Sequence, residues 1–130
     1  MSTTPSDVAV ALAAAVAAHD LAGAAALVHD DVDFRAMTPS RIWEASGPDE
    51  VETVLRTWID DRDEEVEGIE ATAPVVVADV TRVGWVVRLR AGDARSLFEQ
   101  QAYVRERAGR IAWLRIMCSG PRPQGAGPAG

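Results

Sequence analysis

A carboxylate, an amide and a phenol recur at every second position in Glu99, Gln101 and Tyr103. Side chains of a strand alternate between its two faces, so an extended segment puts these three on one side. If that side meets a closed apolar interior, Glu99 is the candidate catalytic acid/base, because desolvation raises a carboxyl pKa toward the range useful for proton transfer. Gln101 and Tyr103 would then orient a substrate by hydrogen bonds. The plainer role for Glu99 is a salt bridge to Arg88 or Arg90. Arg41 and Trp43 follow the Thr38-Pro39-Ser40 turn, where they could hold an anionic group and cap a flat ring. Trp85 is a candidate pocket wall.

Other reactive residues carry less. His19 and His29 stand beside Asp20 and Asp30-Asp31, at a spacing that matches no zinc pattern. Cys118 is the single cysteine, which excludes an internal disulfide and a multi-Cys zinc site. The chain has no Gly-rich phosphate loop. No metal and no cofactor is expected.

The elements that must position these residues are legible from pattern. Residues 1–5 read as a tail. Ser6 caps a helix over Asp7–Ala18, with Val8, Leu12, Ala15 and Val16 as its apolar stripe, and Asp20 caps a short helix over Leu21–Val28. Val32–Met37 reads as a first strand. Ser46-Gly47-Pro48 opens the strongest helix, in which Val51, Val54, Leu55, Trp58 and Ile59 share one face. The acidic run Asp60–Glu67 reads as a solvated loop. Strands follow over Gly68–Val80 and Thr81–Arg90, the second alternating Val83, Trp85, Val87 and Leu89 against Arg82, Gly84, Val86 and Arg88. Residues 95–118 form a hairpin turning at Ala108-Gly109. The domain spans 6–118, and 119–130 is a Gly/Pro-rich tail. Helices first and consecutive antiparallel strands after them make an α+β domain in which a curved sheet wraps the helices.

Composition bounds the partners. The chain has 130 residues and a formal charge of −7, with nearly half its residues apolar. That fits one domain with a real core and disfavours nucleic acid and anionic membrane surfaces, which need basic patches. All thirteen basic residues are arginines. No apolar run approaches the ~20 residues of a membrane span, and the Ala-rich start lacks a signal-peptide layout. A cytoplasmic protein is expected.

Three segments resemble the nuclear transport factor 2-like superfamily, in its SnoaL-like or ketosteroid isomerase-like branch. Leu27-Val28-His29-Asp30-Asp31-Val32-Asp33-Phe34 resembles that family's L-x-x-D-D-V-x-F passage into the first strand. Gly47–Ile59 resembles its G-x-x-x-I-x-x-x-L third helix. Ala108-Gly109-Arg110-Ile111 resembles its D-G-K-I hairpin. The resemblance covers residues 7–118 and implies a cystatin-like cone: three helices in a curved, mainly antiparallel sheet with a pocket at the open end. It also implies isomerases, cyclases, epoxide hydrolases, dehydratases or binding proteins without chemistry, so it does not choose a function.

The isomerase machinery does not carry over. Its general base matches Ala36, its oxyanion-donating tyrosine matches Leu12, and only its second donor, at Gln101, keeps a hydrogen-bonding side chain. The cyclase pattern expects an acid near Ile116, where none stands, and the epoxide hydrolase Asp-Arg-Asp set has no full counterpart.

With Gln101 inward by this comparison, a two-residue turn at Ala108-Gly109 pairs Glu99, Gln101 and Tyr103 with Ala112, Leu114, Ile116 and Cys118 on the inner face. The opposite phase turns Phe98, Ala102, Val104, Trp113 and Met117 inward. That set is more apolar, and a one-residue slip exchanges the two. In the first phase the outer face carries Val86, Phe98, Val104, Ile111 and Trp113, a patch suited to a homodimer. The expected ligand is a small hydrophobic ring-containing molecule, walled by Trp43, Trp85, Leu89, Leu114 and Ile116. The functional expectation is a small-molecule-binding protein, with a cofactor-independent isomerase, cyclase or dehydratase step as its catalytic form. A non-catalytic dimerisation or partner-binding module is the alternative.

Overall fold

A computed structural model describes residues 4–123. Residues 1–3 and 124–130, which fall in the expected terminal tails, lie outside the described residues. The elements run α1 (Asp7–Ala17), α2 (Leu21–Ala25), β1 (Val28–Thr38), β2 (Arg41–Ala45), α3 (Gly47–Ile59), β3 (Glu65–Val77), β4 (Val80–Ala91), β5 (Ala94–Arg107), β6 (Arg110–Cys118) and β7 (Arg122–Pro123). The main sheet has the order β2-β1-β6-β5-β4-β3, and β7 pairs with β5. Every pairing is antiparallel except β1 with β6. The three helices precede most of the sheet and pack on one of its faces, so the α+β expectation holds.

Local chemistry explains the helices. The Ser6 hydroxyl accepts from the Ala9 N–H and the Asp20 carboxylate from the Gly23 N–H, each satisfying an end donor that the helix cannot. At α3 the Glu50 carboxylate reaches back to accept from the Ser46 N–H at 3.1 Å. The face of Val51, Val54, Leu55, Trp58 and Ile59 is buried as the periodicity requires. Large side chains of this kind each contribute about 1.5–3 kcal/mol on full burial.

The β5–β6 hairpin departs from the simplest register. Ala108 and Gly109 both take positive φ, 53° and 78°, the conformation that lets a two-residue turn follow the twist of its strands. Beyond the turn Arg107 pairs with Arg110 and Glu106 with Ile111, but Arg105 pairs with Trp113. Ala112 is therefore an extra residue on β6, a β-bulge. Past it Val104 faces Leu114, Ala102 faces Ile116 and Gln100 faces Cys118. The inner face of β5 is Phe98, Gln100, Ala102 and Val104, all buried.

The expected inward row of Glu99, Gln101 and Tyr103 is thus corrected to the outer face. The bulge supplies the one-residue slip that exchanges faces. The same slip removes Phe98, Val104 and Ile111 from the expected outer patch, since all three are core residues. On β6, Leu114 and Ile116 do face inward. On β4 the inner set Val83, Trp85, Val87 and Leu89 is buried as the alternation implied.

The outer face has its own order. At one level the register runs Ile42, Met37, Met117, Gln101, Gly84 and Thr72 across six strands. A Cβ on Gly84 would lie 2.9 Å from the Gln101 amide nitrogen, so glycine there lets the Gln101 side chain lie flat across β4. At the next level run Glu44, Arg35, Arg115, Tyr103, Arg82 and Val75. Residues 119–123 turn back on the sheet: the Ser119 N–H donates to the Glu99 carbonyl at 2.9 Å, and Arg122 lies 3.6 Å from the Glu99 carboxylate.

Candidate functional site

The inner face of the sheet and the end of α3 leave a cavity of about 230 Å³. Its floor is Phe98 and Gln100 on β5 and Cys118 on β6. One wall is Thr57, Trp58 and Arg62, from α3 and the turn after it. The opposite wall is Thr38, Pro39 and Trp43 from the β1–β2 hairpin, and Gly120 with Pro121 completes the rim. Each element contributes for a local reason. The α3 stripe carries Trp58 in its last turn, the bulge turns Gln100 inward, and the short β2 strand brings Trp43 over the opening.

Two indoles form the upper part. Trp43 meets Trp58 edge to face, with ring centres 5.7 Å apart at 83°, and Trp58 also stacks on Phe34. The Trp43 indole N–H donates to the Thr38 hydroxyl at 2.9 Å. The Arg41 guanidinium lies 3.6 Å above the Trp43 ring, so it caps Trp43 from outside the cavity wall.

Gln100 is the polar centre. Its side chain is fully buried. The Trp85 indole N–H donates to the Gln100 Oε1 atom at 2.7 Å. An indole is a donor only, so the atom facing Trp85 must be the amide oxygen, and the NH2 group points away from it. That NH2 has no partner among the described residues. Two more lining side chains share this property: the indole N–H of Trp58 and the Nε–H of Arg62. Arg62 is otherwise occupied, donating to the Trp58 carbonyl at 2.9 Å, pairing with Glu64 at 3.4 Å and lying 5.1 Å over the Phe98 ring. Arg82, on the outer face, holds the other unpartnered buried donor among the described residues. A buried donor left unpaired costs about 1–3 kcal/mol. Three at one cavity are therefore a destabilising concentration that a bound acceptor would relieve.

Among the described residues no carboxylate and no histidine lines this cavity. Glu99, the expected acid/base, sits outside it, 38% exposed and paired with Arg122 rather than with Arg88 or Arg90. Gln101 and Tyr103 are half-buried on the same outer face. Trp85 and Leu89 are core residues rather than walls, as are Leu114 and Ile116. Trp43 does line the cavity, and Arg41 stands beside it.

Both histidines are occupied elsewhere. His19 pairs with Asp60 at 2.6 Å and His29 donates to the Arg107 carbonyl at 2.7 Å. Among the described residues no group of three His, Cys, Asp or Glu side chains could hold a metal ion. Arg56, raised above the usual guanidinium pKa by its hydrogen bond to Glu52, and Arg90, raised by its hydrogen bond to Glu65, both lie away from the cavity. Chemically the arrangement offers hydrogen-bond donors, ring faces and one thiol. It offers no side chain suited to carboxylate proton abstraction.

Gln100 and Arg62 were not among the candidates read from sequence. Gln100 is the one polar residue in the row Phe98, Gln100, Ala102, Val104, a signal that appears only once the strand's phase is known. Arg62 is the lone base in an acidic run.

No protein-family model matches the chain, and no curated protein does. Solved structures match its fold. An NTF2-like protein of Burkholderia thailandensis superposes with a TM-score of 0.68 at 15% identity, covering 92% of each chain. A protein of Catenulispora acidiphila with a ketosteroid isomerase-like fold, solved in complex with trimethylamine, gives 0.66 at 16% identity, covering 89% of this chain and 88% of that one. A SnoaL-like protein of Mesorhizobium loti, proposed to be a polyketide cyclase, gives 0.64 at 18% identity, covering 85% of this chain and 95% of that one. The chain has the fold that the three sequence segments implied.

The Trp85–Gln100 bond yields a prediction for stability. Trp85→Phe leaves the Gln100 oxygen buried and unpaired, at a cost of about 1–3 kcal/mol besides any lost packing. Adding Gln100→Leu removes the orphaned acceptor. In urea titrations the double variant should be at least ~0.5 kcal/mol more stable than the sum of the single effects implies. Additive effects would contradict the bond.

Proposed function

We propose that this chain binds a small ring-containing molecule in the cavity between the β1–β2 hairpin and the end of α3, without carboxylate acid–base chemistry. The observation that carries this reading is the lining itself: aromatic rings of Trp43, Trp58 and Phe98 with donors that have no partner among the described residues. Apolar walls with a few convergent polar groups are the general form of a small-molecule site. The trimethylamine complex of the Catenulispora protein supports small-ligand binding by this fold. An isomerase, cyclase or dehydratase step in this cavity would have to run on oxyanion stabilisation by those donors, with the acid or base supplied by the substrate or by water.

The test is thermal unfolding in the presence of single-ring aromatic probes. A ligand at one hundred times its Kd adds about 2.7 kcal/mol, so a rise in Tm is expected, together with a change in tryptophan fluorescence that Trp43→Ala reduces. If no ring compound raises Tm or alters the fluorescence, the reading fails.

The outer face favours a second, compatible reading, a two-fold homodimer. Met37, Ile42 and Met117 are 50%, 66% and 53% exposed and sit side by side on three neighbouring strands. The arginines beside them are compensated within the chain, Arg35 by Glu44 and Arg115 by Asp33. A second copy can therefore cover the face without bringing unpaired charge together. This patch replaces the one expected from Phe98, Val104 and Ile111. Sedimentation should give a dimer at micromolar concentration, and Met117→Glu should shift it to monomer. A wild-type monomer at tens of micromolar contradicts the dimer.

A further inference from the structure

We infer, on the reading that the cavity is a ligand site, that its ligand is a single-ring carboxylate held by Gln100, Trp58 and Arg62. Trp85, which is not part of the lining, sets the polarity of the site. Because its indole N–H must meet an acceptor, it fixes the Gln100 amide with oxygen toward the core and leaves the NH2 unpartnered. Without that constraint an amide is ambiguous between donor and acceptor. Here it can only donate to a ligand.

The unpartnered hydrogens are then four: two on Gln100 Nε2, one on Trp58 Nε1 and one on Arg62 Nε. The amide oxygen that might have served a donor ligand is taken. A carboxylate has two oxygens with about four lone-pair sites between them, an acceptor set of the same size. Its bond to the guanidinium is charge-assisted.

Cationic ligands fit less well. A cation is held by the faces of aromatic rings. Here Arg62 already lies over the Phe98 ring. A ligand ammonium would meet Arg62 together with unpartnered N–H groups. The amine bound in the Catenulispora complex is thus a poor guide to this chain's ligand.

Size narrows the ring. A cavity of about 150 Å³ admits benzene, and drug-sized ligands occupy about 300–1,000 Å³. The 230 Å³ here lies between. One ring with a carboxylate fits that space.

The experiment compares four probes that share a ring, namely benzoate, benzyl alcohol, benzylamine and toluene, by NMR titration that follows the Trp58 indole N–H. Benzoate should bind at least tenfold more tightly than benzyl alcohol and benzylamine and should shift the Trp58 resonance downfield. Gln100→Glu keeps the side-chain volume and an acceptor for Trp85 but replaces the NH2 with a second carboxyl oxygen. It should weaken benzoate at least tenfold while leaving toluene within about twofold, which shows that the cavity is intact. Arg62→Met should act in the same direction. Toluene binding without a preference for benzoate, or tightest binding of benzylamine, overturns the carboxylate inference and leaves the ring-binding site standing. Binding of none of the four overturns both.

Discussion

Ala112 is one residue more than the β5–β6 ladder can pair, and the polarity of the whole interior follows from it. The bulge lets Arg107 and Arg110 close the turn while moving every later pair by one residue. Because strand side chains alternate with period two, such a move exchanges faces completely. With it Phe98, Ala102 and Val104 join the core and the charged and phenolic residues go outside. Without it Glu99, Gln101 and Tyr103 would lie against the helices. Burying a carboxyl group without a partner would then oppose the gain from the apolar residues.

The same geometry turns one polar side chain inward. Gln100 is tolerated because Trp85, its register partner on β4, supplies an N–H to its oxygen at 2.7 Å. Half the amide is thereby satisfied by the fold and half is left over. A core selected for stability alone would favour an apolar residue there, since two apolar groups of similar shape can replace a buried hydrogen-bonded pair at little cost. The leftover donor lies with those of Trp58 and Arg62 on one cavity, and Thr81 is the other buried polar residue among those described. The polarity is concentrated where the helices and the sheet fail to close on each other.

Much of the fold was legible in the sequence because it rests on local pattern. The face of Val51, Val54, Leu55, Trp58 and Ile59 has only one helical reading, and α3 spans Gly47–Ile59 as expected. The turn at Ala108-Gly109 and the inner alternation of β4 were equally local. The site was less legible because its residues depend on pairing. Ile111 and Leu114 are both buried at a spacing of three. That break in the period of two marks the bulge, but it is visible only beside the paired strand. β2 is five residues long and mostly exposed, so its sequence carries no strand pattern. β1 starts at Val28 rather than Val32, because its pairing with β6 near Ile111 extends it through His29-Asp30-Asp31.

Gln100, and not Gln101, occupies the interior beside Trp85. Nuclear Overhauser contacts from the Trp85 indole proton test it directly. The account predicts cross-peaks from that proton to the Gln100 side chain and slow exchange with solvent, with none to Gln101. Cross-peaks to Gln101 or Glu99 instead, or an indole proton that exchanges freely, would contradict it.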